Sequence, residues 1–295
     1  MAIIYHYCDP VAFLSIIESR SLWLGNARKM FDARVGDTVG TMLVDALIHH
    51  GAPSGAQREL ATELALTLNL SRRELFTCCF SENRDDTCQW WSYADVGRGF
   101  AIGFDSDLLS PAGSVTRAPV VHDALADSAR GIALSPVLYG DDATLTRHIE
   151  SLKNMVAEAA GNAGSGAPDT RSLDREPGIR AAARACEWLG VMSKDPSFRH
   201  ELEWRLVYVS SGETDNRTCT PCIHWRTTKY GLTSYFRYGF LPEAVREVWI
   251  GPNNSERLHP ECLFGIKEHH ALKLLMRTHG YERTEIIESS SRHAF

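Results

Sequence analysis

Residues 75–105 read LFTCCFSENRDDTCQWWSYADVGRGFAIGFD. Leu75 to Phe80 is an apolar run of strand length, and Asp85 or Asp86 stands where a helix N-cap would. From that cap the residues through about Ala94 are expected to form a short helix carrying Trp90, Trp91 and Tyr93. Gly97 and Gly99 then break it, and Phe100, Ile102 and Phe104 alternate as a strand. The stretch predicts strand, aromatic helix, strand. The density of rings beside Asp, Glu, Arg and Ser marks the helix as the wall of a ligand pocket. On that helix Gln89 and Tyr93 share a face, with Trp90 beside them. Such a face can stack on a flat heterocycle and offer a phenol; an aromatic core helix is the plain alternative.

Outward from this stretch, Ala2 to Tyr7 reads as a strand rich in β-branched and aromatic residues. Asp9 caps a following helix with Pro10 at its first position, and Phe13, Ile16 and Ile17 fall on one face. A strand at Leu22-Trp23-Leu24 ends at Gly25-Asn26. Residues 38–70 look helical with a break at 51–55. Residues 143–160 form an amphipathic helix striped by Leu145, Ile149, Leu152 and Val156. Asn162 to Pro177 is a Gly-, Ala-, Ser- and Pro-rich loop, and 179–194 is helical again. Strands follow at Glu201–Val209, more weakly at Ser234–Tyr238, and at Val245–Ile250, the last ending in Gly251-Pro252. A helix over 257–279 closes at Gly280, and Arg283 to Glu288 is the final strand. The reading is one α+β domain over residues 1–295, with 107–195 as a largely helical insertion.

The chain has 295 residues, 44% hydrophobic and 23% charged, with 31 basic and 37 acidic side chains and a net charge of −6. These are ordinary values for a globular protein, without the overall basic excess that nonspecific nucleic-acid binding favours. The start MAIIYHYCDP has no basic stretch ahead of an apolar run, and no segment reaches the roughly 18 apolar residues of a membrane helix. A cytoplasmic protein without membrane partners is expected, its eight cysteines reduced.

Familiar catalytic signatures are missing. Gly97-x-Gly99 precedes a strand instead of following one, so it is no dinucleotide fingerprint. There is no GxxxxGK[ST], no HExxH and no GxSxG. Cys219-Thr-Pro-Cys222 with His224 is a lone CxxC; without a second ligand pair it is expected to be a turn and not a metal site. The Gly251-Pro252-Asn253-Asn254 turn could meet a phosphate, but a packing turn is the favoured reading.

Three places put polar groups where a plain core would not. His6 lies between Tyr5 and Tyr7 and faces opposite to both. Gln89-Trp90-Trp91-Ser92-Tyr93 is the second. In Glu201-Leu202-Glu203-Trp204-Arg205, the third, strand alternation would put Glu201, Glu203 and Arg205 on one face.

The order strand histidine, helix tyrosine, strand glutamate resembles that of the H-Y-E class of ADP-ribosyltransferase folds. More closely, the chain resembles a bacterial family labelled a domain of unknown function. That family has the pattern HYT, then CFS with WxxYA and G.AIGFD, then E.EWR and a late IGP. Here these are His6-Tyr7-Cys8, Cys79-Phe80-Ser81 through Asp105, Glu203-Trp204-Arg205 and Ile250-Gly251-Pro252. The resemblance implies a split β-sheet core binding NAD as substrate. His6 would hold the adenosine ribose, with Tyr7 beside it. Tyr93, or Trp90 in another register, would stack on nicotinamide. Ser81 would bond the carboxamide, and Arg205 the pyrophosphate. Glu203 would stabilise the cationic ribosyl transition state. His6, Tyr93 and Glu203 would then be the catalytic set; Trp91 and Glu201 stay open as alternatives to the second and third. The implied activity is ADP-ribosyl transfer or NAD hydrolysis by a toxin or antiphage effector, with an unknown acceptor (protein, nucleic acid or water) and a cognate antitoxin. A noncatalytic nucleotide or nucleic-acid binding module is the alternative.

Overall fold

The structure, a computed structural model, describes residues 2–29, 75–110, 132–140, 143–162, 177–209, 223–228, 231–255 and 269–291. The expected helical region 38–70, the centre of the 162–177 loop, the CxxC at 219–222 and the first part of the 257–279 helix lie outside the described residues.

The fold is mixed α and β, built on a ten-stranded, mostly antiparallel sheet. Its strands are β1 (Ile3–Cys8), β2 (Ser21–Asn26), β3 (Leu75–Ser81), β4 (Phe100–Asp105), β5 (Ile132–Pro136), β8 (Glu203–Val209), β9 (Ile223–Thr228), β10 (Gly231–Gly239), β11 (Val245–Ile250) and β12 (Glu285–Glu288). The path runs β12-β11-β4-β1-β3-β2-β10-β9, and β8 with β5 branches from β3. A separate parallel pair joins β6 (Leu138–Tyr139) to β7 (Ser193–Lys194).

Strand β3 is a fork. It pairs with β8 along its whole length, from Leu75↔Val209 to Ser81↔Glu203. Its other neighbours share what remains: β2 pairs at Gly25↔Thr77 and Asn26↔Phe76, while β1 pairs at Tyr5↔Ser81. Between these two contacts the sheet divides.

Helices cover both faces. On one face lies the main core, where Phe13, Ile16 and Ile17 of α1 (Pro10–Ser19) and Leu272 and Met276 of α6 (His270–Thr278) meet Ile4, Phe76, Phe80, Ile102, Phe104 and Leu206. Helix α1 begins as expected, with Asp9 accepting from the Ala12 amide at 2.7 Å and Pro10 in the first turn. On the other face, Trp90 and Ala94 around α2 (Thr87–Tyr93) pack on Tyr5, Tyr7, Ala101 and Trp249. Trp188 and Met192 of α5 (Pro177–Met192) pack on Ala133 and Val207 of the same face.

Within 107–195, expected as a largely helical insertion, the described residues include α4 (Ala143–Asn162) and α5, and also β5, a member of the main sheet through pairs such as Leu134↔Leu206. A short α3 (Ser106–Leu109) follows β4. The strand expected from Glu201 begins at Glu203, because Pro196–Glu201 is a 3₁₀ helix and Leu202 is left-handed at φ 43°.

Candidate functional site

Helix α2 starts where Asp86 accepts from the Gln89 amide at 3.0 Å. Its end is a strained turn. Asp95 and Val96 both take positive φ, 49° and 55°, a region costly for β-branched residues. A glycine clasp holds the turn down. The Gly251 amide donates to Gly99 O at 3.0 Å, the Asn253 amide to Gly97 O at 2.9 Å, and Asn254 Nδ2 to Arg98 O at 2.6 Å. The Gly251–Asn254 turn therefore uses these donors on protein carbonyls, as the packing reading expected.

The clasp fixes which ring faces where. Trp90 is fully buried, its indole donating to Asp85 Oδ1 at 2.8 Å and its ring edge-on to Tyr7 at 4.8 Å. Asp85 also accepts from Ser289 and Ser290, so it ties the end of β12 to α2. Trp91 and Tyr93 remain about half exposed.

Tyr93 reaches the carboxylates. Its hydroxyl donates to Glu201 Oε1 at 3.2 Å. Lys194 Nζ donates to Glu201 Oε2 at 2.6 Å and to Glu203 Oε2 at 2.7 Å. Arg205 Nε donates to Glu203 Oε1 at 2.7 Å, its Nη2 to Glu203 Oε2 at 3.2 Å, and its Nη1 to the Val191 carbonyl. Tyr139 accepts from the Glu203 amide at 3.2 Å. Strand β7 delivers Lys194, the 3₁₀ helix delivers Glu201, and β8 delivers Glu203 and Arg205. The left-handed Leu202 lets two carboxylates from different elements meet one ammonium.

Burial pushes the Glu203 carboxyl up, but the Arg205 guanidinium and then the Lys194 ammonium outweigh it and hold it below the usual carboxylate range. Burial works against the Lys194 charge, and Glu203 and Glu201 overcome it, raising the ammonium above its ordinary value. Burial, then the Glu201 charge, pushes the Tyr93 phenol up, so it stays protonated and donates. The result is a cluster of two carboxyl groups on two cations, with a half-exposed phenol at its rim.

The other expected site residues make contacts within the protein. His6 lies on the opposite face of the sheet from Glu203, because Tyr5 registers with Ser81 and Ser81 with Glu203. Its Nδ1 meets the Cys79 carbonyl at 2.9 Å, in the fork of β3, and its ring packs against Phe80. A carbonyl only accepts, so Nδ1 carries the proton. Burial lowers the His6 pKa and keeps the ring neutral. Tyr7 is buried and donates to Asn83 O at 2.8 Å. Ser81 is buried and donates to Glu201 O at 2.6 Å while accepting from the Asn83 amide, so it positions the glutamate loop. Arg205 is buried on Glu203. Trp90 is core. Of the expected residues, Tyr93, Glu203 and Arg205 come together, with Glu201 between the first and second.

Lys194 and Tyr139 were missed. Lys194 reads in sequence as the last residue of a helix. The Ser193-Lys194-Asp195-Pro196 stop signal, a cation just ahead of Glu201 and Glu203, was the available clue. Among the described residues no group of three or more His, Cys, Asp or Glu could hold a metal ion. No helix among them is long and apolar enough to cross a membrane.

No curated protein and no solved structure matches the chain. One family does, and its match begins in α2 and ends in β8, so it spans the aromatic helix, Lys194 and both glutamates. Residues 89–206 match the model of the DUF2971 family, described as a protein of unknown function.

Proposed function

We propose that this cluster is the centre of an NAD-dependent ADP-ribosyltransferase-like enzyme, with Glu201 as the carboxylate that meets the substrate. The observation that carries the reading is the contact between a half-exposed Tyr93 and Glu201 at the mouth of an otherwise buried ionic cluster. The forked sheet, divided at β3, supports it as well.

The chemistry follows from charge. The C–N bond between ribose and nicotinamide breaks, and the electron pair leaves with nicotinamide as a neutral base. The ribosyl carbon gains oxocarbenium character, which a fixed anion stabilises. Glu201 holds that anion in place through Lys194. Tyr93 offers a ring face to the leaving heterocycle. An acceptor from protein, nucleic acid or water then bonds to C1′ and gives up its proton. Glu203 has its oxygens engaged by Lys194 and Arg205, so it is a positioning residue here. His6, Ser81, Trp90 and Arg205 have no substrate role in this scheme.

A second reading, a noncatalytic nucleotide or nucleic-acid binding module, gains from one observation: the Glu203 carboxylate already accepts from two cations and is buried. Nicotinamide release from NAD separates the two. Release by the wild type and its loss in Glu201→Gln supports the enzyme; addition of cell extract distinguishes transfer from hydrolysis. No release, with NAD still raising the thermal midpoint, supports the binding module. No release and no stabilisation ends the case for NAD.

A further inference from the structure

The end of the sheet farthest from β12 carries a second assembly of rings and cations. On β2, β10 and β9, Trp23 stacks on Tyr235 with centroids 4.5 Å apart, and His224 stacks on Tyr235 at 5.3 Å. The Arg226 guanidinium lies over Trp23 at 5.8 Å and over Tyr235 at 6.0 Å. Registers place all four on one face: Tyr235 opposes His224 and Gly25, Arg237 opposes Trp23, and Thr233 opposes Arg226. Tyr235 itself is buried within the stack, while Trp23, Arg226 and Arg237 are exposed.

The face has a notch. Among the described residues a Cβ on Gly25 would meet only the Arg226 guanidinium, at 4.0 Å, so they leave the space above this strand glycine open. Gly25 stands beside Trp23 and below Arg226, and the notch has an aromatic wall and a cationic lip.

Charge selects the partner. Strands β2, β9 and β10 contain no Asp or Glu, although the whole chain carries −6. They contribute Arg226 and Arg237, and the exposed Lys29 follows directly after β2, its ammonium on the Leu232 carbonyl. Exposed cations around stacked rings, on strands free of carboxylates, match a flexible polyanion that brings flat bases with it. A folded acidic protein would supply the charge but would leave the ring stack and the notch unused.

We propose that this face of β2, β10 and β9 binds single-stranded nucleic acid, with a base against Trp23 over Gly25 and phosphates on Arg226 and Arg237. Gly25 registers with Thr77 and Thr77 with Val207, so the platform shares its face of the sheet with Arg205 and Glu203. The binding does not rest on NAD chemistry.

The test is fluorescence anisotropy of the full chain with a labelled single-stranded oligonucleotide of about 12 nucleotides, as DNA and as RNA. Binding that weakens with rising salt is expected. Trp23→Ala and Arg226→Ala should each lower affinity by about tenfold. Gly25→Leu, which fills the notch without touching the core, should do the same and keeps the test alive if Trp23→Ala fails to fold. Trp225 is more exposed than Trp23 but points to the opposite face, so Trp225→Ala should leave affinity unchanged. Absence of binding at low salt overturns the proposal. So does equal damage from Trp225→Ala, and so does inorganic polyphosphate bound as tightly as the oligonucleotide and equally well by Trp23→Ala and Gly25→Leu.

Discussion

Lys194 and Glu203 stand 2.7 Å apart, both almost fully buried, and the same ammonium lies 2.6 Å from Glu201. One cation thus bridges two carboxylates that strand geometry alone would not bring to one point. With Arg205 the cluster balances two negative charges against two positive ones. That balance is what allows it to stay ionised away from water.

Removing the bridge should be costly. Lys194→Met leaves Glu201 and Glu203 facing each other with Arg205 alone, and is expected to destabilise by about 3–5 kcal/mol in urea unfolding. Adding Glu201→Gln to Lys194→Met should recover part of the loss, because one of the uncompensated charges goes. A double mutant less stable than Lys194→Met would show that Glu201 is held by something other than the ammonium.

The cluster also sets an acid limit. The folded Glu203 carboxyl sits below its unfolded value of about 4.3, so its contribution is present above that pH and is lost as pH falls through the lower folded value. Glu203→Gln should flatten stability against pH in that acid window while lowering stability at neutral pH. Parallel wild-type and variant curves below about pH 4.3 would contradict this.

The strand-helix-strand run from Leu75 to Asp105 was legible because its periods change at Asp86 and at Gly97–Gly99. The grouping of Tyr93 with the glutamate segment came from the family resemblance and not from periodicity; Tyr93 meets Glu201, in the 3₁₀ helix ahead of β8. Lys194 was not legible, since its position depends on the β6–β7 pair and on the left-handed Leu202, and neither leaves a periodic trace. Alternation correctly set His6 opposite Tyr5 and Tyr7. What sequence could not supply was the register across β1, β3 and β8, which puts Tyr5 and not His6 on the glutamate face. Strand β9 escaped because an exposed edge strand, IHWRTT, shows no apolar alternation.

The glycine clasp makes a sharper prediction. A Cβ on Gly99 would lie 2.0 Å from Cys8 O, and one on Gly251 would lie 2.3 Å from Gly97 O. Both contacts are with backbone, which cannot turn aside. Gly99→Ala should therefore shift β4 or the end of α2 and cost several kcal/mol, roughly the upper tail of single substitutions. Gly25→Ala meets open space among the described residues of a strand and should stabilise by about 0.5–1 kcal/mol. Thermal midpoints that move equally for the two would refute the clasp.

His6 should make stability depend on pH near neutrality. Its ring is partly buried and neutral, with Nδ1–H on the Cys79 carbonyl where the sheet forks, and desolvation lowers its pKa below the unfolded value of about 6.5. Below about pH 6.5 the unfolded chain binds a proton that the folded chain resists, so stability falls as pH drops toward the folded value and is restored above about 6.5. Asn presents an N–H at nearly the same position as Nδ1 and does not titrate. His6→Asn should keep the bond to Cys79, lose some packing against Phe80, and remove this part of the pH dependence. The measurement is the difference in thermal midpoint between pH 7.5 and about pH 5, taken for wild type and variant together. A variant with the same pH dependence as the wild type would mean that His6 is already solvated at the fork. It would then be available to a ligand, as the transferase resemblance implied.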